Sequence, residues 1–452
     1  MRLRKTITTI VATAILLAGW QLFAVIANQP ELIPSLPRLV RTLCEWLVSG
    51  SFYQSVGATI FRGILGMSIS FVCAIGMAGL FARFEWVYEL FRPLLAIMRS
   101  IPVISFILLA LIFLNPESIP LMIAFLTMFP LLTENLTRGI LDLRPGLSIM
   151  ARQFHIKRSN VLFQIIYPQL KPFLYSGLAS AAGFGWRAII MGEVLSQCAF
   201  GIGSEMKRAQ NFIAVPELLA WTIVAVFISF FFDKGISKVA DITPKISFAN
   251  EDQTTPTPTL SVLDTKDISY QYGIQHFSHS FQKGIIYGIS APSGKGKTTL
   301  LNLIGGILLP TEGEIHPTRH FGIATIFQQP QLLPHLTAEE NIILPLSSFL
   351  TEEKARRIAQ KHLQEVEMEP FGNRYPKELS YGQQQRIAIA RALAYPSPLL
   401  LMDEPFKGLD EALSHRIIER IREKQMKEER IILFTSHNPD EIRLLADEVI
   451  YL

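Results

Sequence analysis

The chain has 452 residues, of which 49% are hydrophobic and 18% charged, and its formal net charge is +4. This length exceeds one ordinary globular domain, and the mild charge without a dense Lys/Arg block argues against nucleic-acid binding. Cys44, Cys73 and Cys198 match no zinc or redox spacing, so we interpret them as small core residues. Apolar residues dominate from Thr6 to Phe232, whereas Thr243 to Leu452 resembles a soluble protein. This division predicts a membrane half followed by a soluble half.

The first apolar run follows a short basic stretch. Arg2, Arg4 and Lys5 precede Thr6–Gln29, which carries no charge. A cleaved signal peptide has an apolar core of about 7–15 residues, which this run exceeds. We therefore predict an uncleaved first membrane helix.

Six segments are apolar and long enough to cross a membrane, which takes about 20 residues. They are residues 6–27, 60–82, 94–114, 119–137, 173–195 and 215–233. Small residues let helices approach closely in lipid. Gly63, Gly66, Gly76 and Gly79 therefore predict that the second span packs inside a helix bundle.

The Lys and Arg residues between the spans predict the orientation, because cytoplasmic loops are enriched in them. Most lie at the amino terminus, after the second span, between residues 138 and 171, and after the sixth span. The opposite side holds fewer, namely Arg38, Arg41, Lys207 and Arg208. We predict a multi-pass protein of the cytoplasmic membrane with both termini, and hence the soluble half, in the cytoplasm.

Two charged residues, Arg187 and Glu193, lie within or near the fifth span. A charge at the centre of a bilayer costs roughly 2.5–3.5 kcal/mol on insertion scales. One interpretation places both along a translocation path. The other places Glu193 at the outer interface and Arg187 towards solvent or a neighbouring helix.

The cytosolic segment Asp142–Lys171 carries a recognisable pattern. Four positions fit it, Ala151, Arg152, Ile165 and Pro168, and three depart from it, Ile149, His155 and Tyr167. The segment resembles the EAA loop of ABC importer permeases. Further motifs, Ser100-Ile101-Pro102, Gly192-Glu193 and Gly201-Ile202-Gly203, look like those of the nitrate/taurine/sulfonate-type permeases. This resemblance covers about residues 1–240.

The permease resemblance implies that the loop forms a short coupling helix that docks on an ATPase. It also implies import of a solute delivered by an extracytoplasmic binding protein. The alternative for the loop is a basic amphipathic segment on the membrane surface. The following residues, 243–260, are rich in Thr and Pro, which predicts a flexible to semi-extended linker.

The soluble half begins with a phosphate-binding pattern. A predicted strand, Gly284–Ser290, leads into a turn and then a helix beginning near Leu300. The turn consists of Ala291, Pro292, Ser293, Gly294, Lys295, Gly296, Lys297, Thr298 and Thr299. Glycines let backbone N–H groups converge on phosphate oxygens at a helix amino terminus. Lys297 is placed to reach the β- and γ-phosphates of ATP, and Thr298 to bind Mg²⁺. Ala291 stands where the usual pattern has its first glycine.

A second pattern ends in two carboxylates. The apolar run Pro398–Met402 predicts a buried strand, followed by Asp403 and Glu404. Asp403 is placed to orient Mg²⁺, and Glu404 to polarise the attacking water. The alternative is an acidic strand terminus at a solvated turn.

A third pattern lies between them. Leu379-Ser380-Tyr381-Gly382-Gln383 precedes Gln384-Gln385-Arg386, and this stretch resembles the signature of ABC ATPases with Tyr381 in place of a glycine. The resemblance covers residues 261–452. It implies that Ser380, Gly382 and Gln383 bind the γ-phosphate of ATP held by an opposite subunit.

The remaining family elements follow in order. The resemblance assigns Gln328 to the Q-loop, where it senses Mg²⁺ and contacts the permease, Asp410 to the D-loop, and His437 to the γ-phosphate. It assigns Tyr272 to stacking on the base, worth roughly 1–3 kcal/mol, with Tyr270 as the rival.

The predicted architecture is an all-α membrane domain, residues 1–242, a linker, and an α/β ATPase domain, residues 261–452. Since one chain has one phosphate loop and one signature, we expect a homodimer that uses ATP and Mg²⁺. The resemblance implies import of a small solute such as nitrate, taurine, an alkanesulfonate or a thiamine-like pyrimidine precursor. An ABC exporter and a non-transporting ATP-binding regulator stay open as alternatives.

Overall fold

The computed structural model describes residues 2–240, 244–253, 260–271, 273–292, 294–317 and 322–452. The chain divides into two compact units, which are described separately. The first, here the membrane unit, comprises Met1–Leu143 and Gln169–Thr243; the second, here the nucleotide unit, comprises Arg144–Pro168 and Pro244–Leu452. The predicted fold class, a helical domain with apolar spans followed by an α/β domain, is confirmed.

All regular secondary structure in the described residues of the membrane unit is helical. Its helices are α1 (Arg2–Ala27), α2 (Leu36–Trp46), α3 (Gly50–Arg83), α4 (Glu85–Ser100), α5 (Val103–Phe113), α6 (Ile119–Leu141), α9 (Tyr167–Ser196), α10 (Ile202–Asn211) and α11 (Val215–Ala240). Two short helices between α6 and α9, α7 (Pro145–Gln153) and α8 (Arg158–Asn160), belong to the nucleotide unit. A π-helical turn, Val161–Ile166, joins α8 to α9.

The sequence predicts six spans, and length and apolarity of the described residues give four, or up to five. Within the described residues, four helices qualify: Gly50–Arg83, Pro116–Leu141, Arg158–Ser196 and Val215–Ala240. The predicted span 94–114 is instead the pair α4 and α5, bent by 94°, which makes up to five spans if counted as one. The bend falls at Ile101-Pro102, because a proline lacks the N–H that would continue the helix. The first predicted span corresponds to a shorter apolar helix, Val11–Ala27.

Close helix packing accounts for part of the glycine pattern on α3. A methyl group on Gly66 would lie 2.6 Å from Cβ of Ala124 on α6, and one on Gly63 would lie 3.2 Å from the ring of Trp186. Gly76 and Gly79 have no such neighbour within 4 Å. Gly63 and Gly66 therefore pack closely within this unit as predicted, and Gly76 and Gly79 do not, although Ala74 and Ala78 of the same helix are buried.

The nucleotide unit contains the remaining elements. Its strands are β1 (Val262–Tyr270), β2 (Ile274–Gln282), β3 (Ile286–Ser290), β4 (Glu312–His316), β5 (Ala324–Ile326), β6 (Leu399–Asp403), β7 (Ile431–Thr435) and β8 (Glu448–Tyr451). Its further helices are α12 (Lys297–Ile304), α13 (Ala338–Leu346), α14 (Glu352–Glu365), α15 (Tyr381–Ala394), α16 (Glu411–Glu428) and α17 (Pro439–Leu445).

Two sheets organise this unit. An antiparallel sheet has the order β2-β1-β4, and a parallel sheet has the order β5-β6-β7-β3-β8. Strands β5, β6 and β7 are buried at every residue, which is the pattern of parallel strands covered on both faces. Ligands of open α/β sheets bind beyond the carboxyl ends of the strands. We therefore expect the ligand-binding site at the carboxyl ends of β3, β6 and β7.

The EAA-like segment is part of this unit's core. Six of its buried side chains join the main hydrophobic cluster: Leu147, Met150, Ala151, Phe154, Ile156 and Ile165. Gln153 forms two hydrogen bonds with the rest of the unit. Its backbone carbonyl accepts from Ile323 N–H, and its side-chain amide donates to Gly305 O at 2.9 Å. The sequence alone suggests two placements for this segment, and the structure places it against the nucleotide unit.

The described part of the predicted linker differs from a free tether. Within residues 244–253, Ile246 and Phe248 pack against the main cluster, and Ala249 N–H donates to Ser347 O. Asn160 binds both backbone groups of Ser247, at 2.8 Å each. Alternating apolar side chains anchor this stretch. Residues 254–259 of the linker lie outside the described part of the chain.

Candidate active site

The phosphate loop lies between the carboxyl end of β3 and the amino terminus of α12. Gly294 and Gly296 have φ of +82° and +91°, a left-handed conformation that favours glycine. A methyl group on Gly296 would lie 2.7 Å from Gly273 O. The loop therefore requires glycine at the position directly before the helix. Ser293 lies outside the described residues.

Lys297 is the first residue of α12 and is buried. Its ammonium group donates to Ala291 O at 2.7 Å and lies 3.5 Å from Pro292 O. The lysine thus closes the loop on itself, with its charge directed at the start of the turn. Pro292 and Lys295 are exposed on the loop, and Thr299 is half-buried. The helix amino terminus adds a partial positive charge at the same place.

Asp403 ends strand β6 and is held by two hydroxyl groups. Thr298 Oγ1 donates to one carboxylate oxygen at 2.9 Å, and Thr435 Oγ1 donates to the other at 2.8 Å. Burial raises the pKa of Asp403, and these two hydrogen bonds only partly offset that effect. The structure thus joins the predicted pair Thr298 and Asp403. Thr435 was missed by sequence reasoning, although it is the last residue of β7 and comes two residues before His437.

Glu404 follows directly and has a positive φ of +49°, which is uncommon for a residue with a side chain. Its carboxylate contacts His437 Nε2 and Lys407 Nζ, each at 3.1 Å, and the Gln328 side chain lies close enough to influence its pKa. Burial alone would raise the pKa of Glu404, but the bonds from Lys407 and Gln328 outweigh it and lower the pKa. The three predicted catalytic residues, Glu404, His437 and Gln328, therefore lie together. Lys407 was not predicted.

The signature residues form the amino terminus of α15. The Ser380 side chain caps the helix by accepting from Gln383 N–H, and Gln383 bonds back to Ser380 N–H at 2.9 Å. A methyl group on Gly382 would lie 2.4 Å from Gly408 O. Asp410 in turn caps α16, accepting from Leu413 N–H at 2.9 Å. The signature and the predicted D-loop are thus packed against each other.

The structure brings the predicted residues into two groups. One contains the phosphate loop, Thr298, Asp403, Glu404, Gln328 and His437, and the other contains Ser380, Gly382, Gln383 and Asp410. Among the hydrogen bonds of the described residues, none joins the second group to the phosphate loop. Tyr272, predicted to stack on the base, lies outside the described residues.

The residues near Asp403 fit a magnesium ion by their chemistry. Thr298, Gln328 and Asp403 line one cavity of ≈ 280 Å³, and they offer a hydroxyl, an amide and a carboxylate oxygen. Mg²⁺ prefers such oxygen ligands and is commonly bound through one or two carboxylates together with substrate phosphates. In the part of the chain that the structure describes, no group of three or more His, Cys, Asp or Glu side chains has the arrangement of a metal site. Gly146 and Ile149 of α7 line the same cavity.

Comparison with known proteins gives two family matches. Residues 274–407 match the family described as ABC transporter, and residues 66–233 match the family described as binding-protein-dependent transport system inner membrane component. The two matches fall on the two halves that the sequence distinguishes.

Individual relatives match the nucleotide unit. The chain is 35% identical over 205 residues to the thiamine import ATP-binding protein ThiQ of Yersinia pseudotuberculosis, which spans 42% of this chain and 86% of that protein. It is 36% identical over 189 residues to the Fe(3+) ions import ATP-binding protein FbpC of Rhizobium etli, spanning 40% of this chain and 54% of that protein. The chain thus covers about half the length of the iron-import relatives. A solved dimeric bacterial ABC transporter cassette is 32% identical, with a TM-score of 0.40, over 42% of this chain and 94% of that one.

Proposed function

Because the chain belongs to the ABC transporter family, we propose that its nucleotide unit hydrolyses ATP to drive a small solute through its membrane unit. The observation that carries this proposal is the Glu404 group. A carboxylate held by Gln328, Lys407 and His437 lies beside Asp403 at the carboxyl ends of buried parallel strands. A phosphate loop lies at the end of the neighbouring strand.

The residues divide the work of hydrolysis between them. Backbone N–H groups of the loop and the ammonium of Lys297 bind phosphate oxygens. Glu404 is a carboxylate with a lowered pKa, so it is ionised at neutral pH and accepts hydrogen bonds from the attacking water. His437 contacts Glu404 at 3.1 Å and, by the family resemblance, would contact the γ-phosphate. Thr298, Asp403 and Gln328 would hold Mg²⁺, which supplies charge neutralisation on the phosphates when bound.

We further propose that the working assembly is a homodimer. The signature residues have no hydrogen bond to their own phosphate loop within the described residues, and Ser380, Gly382 and Gln383 present a helix amino terminus. Two copies related by a twofold axis would place each signature opposite the other copy's phosphate loop. Asp410 would lie at that same boundary.

Import is the proposed direction, with an extracytoplasmic solute-binding protein as partner. The match of residues 66–233 to a binding-protein-dependent permease supports it. The distribution of Lys and Arg supports a cytoplasmic-membrane location with the nucleotide unit inside. The packing of Phe154 and its neighbours into the nucleotide unit supports a coupling role for the 145–168 segment.

The cargo is proposed to be a small solute of the nitrate, taurine or sulfonate type, or a thiamine precursor. The nucleotide unit does not discriminate, since relatives named for iron, thiamine and polyamine import are similarly identical. In the membrane unit, Arg187 is exposed on α9 and has no hydrogen-bonding partner among the described residues. An uncompensated cation on a span is costly in lipid, which favours a path for anions at this face. Glu193 is buried and paired, so it does not offer a free charge there.

The full chain in proteoliposomes, with Mg²⁺, tests the proposal. ATP hydrolysis, the oligomeric state by mass measurement, and uptake of radiolabelled taurine, nitrate or thiamine precursor with the cognate binding protein are measured together. We expect turnover by a dimer and uptake towards the nucleotide unit. Movement away from that side would instead support an exporter. ATP binding without turnover in any condition would support a regulator and contradict the proposal.

A further inference from the structure

Tyr381 replaces a glycine of the signature, and its side chain has specific contacts. Its hydroxyl donates to the backbone carbonyl of Gln328 at 2.7 Å. Its ring lies against the D-loop, because a methyl group on Gly408 would lie 2.9 Å from Cδ1 of the ring. The side chain is otherwise 42% exposed. One residue therefore touches the signature, the Q-loop and the D-loop of the same chain.

A second residue of the same helix holds the same segment. The guanidinium of Arg391 donates to the carbonyls of Gln331 and Pro330, both at 2.8 Å. Helix α15 thus binds the segment 328–331 at both ends. A displacement of the signature helix must carry this backbone with it, since buried hydrogen bonds to carbonyl groups are costly to break.

Gln328 is the point where this attachment meets the chemistry. Gln328 lines the cavity that holds Asp403 and its side chain lies close enough to Glu404 to lower the pKa of that carboxylate by hydrogen bonding, while its carbonyl accepts from Tyr381. The position of the Tyr381 hydroxyl therefore sets where the Gln328 backbone lies relative to Glu404. In the homodimer of the proposed function, Ser380 and Gly382 on either side of Tyr381 serve the nucleotide of the partner.

We propose that Tyr381 is a positioning residue that links nucleotide bound at one site of the dimer to catalysis at the other. Closure of the signature on the partner's ATP moves Tyr381. Tyr381 fixes the Gln328 backbone, and Gln328 orients Glu404 in its own chain. The inference rests on the proposed ATP hydrolysis by a dimer, and it assigns to Tyr381 a role that a glycine at this position has no side chain to perform.

The test removes the hydroxyl and keeps the ring. We expect Tyr381→Phe to lower kcat by about 3- to 10-fold, the loss that corresponds to one hydrogen bond. We also expect its ATP dependence to lose cooperativity, with a Hill coefficient near one, while ATP binding by the resting chain stays unchanged. Tyr451→Phe removes another tyrosine hydroxyl, on a side chain that is 80% exposed, and should match the wild type in every measurement.

A double-mutant cycle distinguishes positioning through Gln328 from a general structural effect. In a Gln328→Ala background, single-turnover hydrolysis of radiolabelled ATP should be no slower with Phe at position 381 than with Tyr. Equal losses in both backgrounds, or wild-type kcat and cooperativity in Tyr381→Phe, would overturn the inference. Tyr381→Gly, which also removes the ring, should lose at least as much as Tyr381→Phe. If the wild-type chain has no ATPase activity, it is the proposed function that fails.

Discussion

The two units treat buried charge in different ways. In the membrane unit, Glu193 is 0% exposed and forms an ion pair with Arg62 at 2.7 Å, and it also accepts from Thr59 and Gly203 N–H. In the nucleotide unit, Asp403 is 8% exposed, but both of its hydrogen-bond donors are neutral hydroxyls. Glu193 thus has an ion-pair partner within its unit, whereas Asp403 has none among the described residues.

This difference follows from what each region must accommodate. A charge in a membrane helix has no water to solvate it, so a partner within the chain is the cheapest compensation. Arg62 also bonds Glu117 at 2.6 Å and Phe200 O at 2.8 Å, and so joins α3, α9 and two connections. At a nucleotide site, compensation arrives with the ligand as a metal ion. The ion pair therefore stabilises the fold, whereas Asp403 keeps a charge that would serve a metal ion in the proposed function.

The largest expected effect is a loss of ATP turnover in a variant that still folds. Glu404→Gln should lower ATP turnover by about 100-fold or more, since a general base contributes roughly 10²–10⁴-fold. ATP binding should persist and trap a closed dimer, detectable by mass measurement with ATP. Glu419→Gln, on an exposed residue of α16, is the control. Normal turnover in Glu404→Gln would show that another residue is the base.

The second prediction removes the cation of the membrane unit. Arg62→Gln should destabilise this unit by about 3–5 kcal/mol, because it leaves Glu193 buried without a counter-charge. The five tryptophans of the chain all lie in the membrane unit, so their fluorescence reports its unfolding.

Two variants sharpen that test. Arg62→Gln with Glu193→Gln should recover much of the lost stability, since the lone charge is gone. Arg208→Gln, which removes an exposed pair with Glu205, should cost at most about 1 kcal/mol. If Arg62→Gln unfolds like the wild type, the contrast between the two units is wrong.

A third prediction concerns a buried cation of the nucleotide unit. Arg391 is 1% exposed, its guanidinium stacks over Phe154, and burial lowers its pKa to about 9. Arg391→Met should cost about 2–4 kcal/mol, because two carbonyl groups lose their donor. Heat inactivation of ATP turnover measures this, with the exposed Arg443→Met as control. No loss would mean that water replaces the guanidinium without cost.

The smallest expected effect concerns an uncharged anchor. Asn160 is buried and binds Ser247 N–H, Ser247 O and Ser347 Oγ. Asn160→Ala should cost about 1–3 kcal/mol, since these buried groups lose their partner. The exposed Asn373→Ala serves as control, and thermal unfolding by circular dichroism measures both. Equal unfolding temperatures for the two variants would show that the hydrogen bonds of Asn160 do not stabilise the unit.

The positions of the predicted nucleotide-site residues could be anticipated, because these residues are contiguous in sequence or follow buried strands. Lys297, Thr298, Asp403 and Glu404 are fixed by a turn and a strand end, so local pattern was enough. Thr435 and Lys407 were not predicted, because a single threonine or lysine forms no recognisable sequence pattern. The role of each depends on a partner that the folded sheet brings near.

The membrane unit was less predictable for a related reason. Arg62 lies 131 residues before its partner Glu193, and hydropathy gives no information on such pairs. Hydropathy also counted α4 and α5 as one straight span, because Ile101-Pro102 interrupts the helix without interrupting the apolar composition. The packing of residues 244–253 was hidden by a composition typical of linkers.

Because the segment 144–168 is part of the nucleotide unit's core, protein synthesis separates this segment in time from the residues against which it packs. Phe154 leaves the ribosome long before its partners Arg391 and Tyr395 at the end of α15, by tens of seconds at about 5–20 residues per second. During that interval the apolar side chains of the segment lack these native neighbours. Cutting the gene before Pro244 would make this interval permanent and give two products, each with an exposed apolar patch.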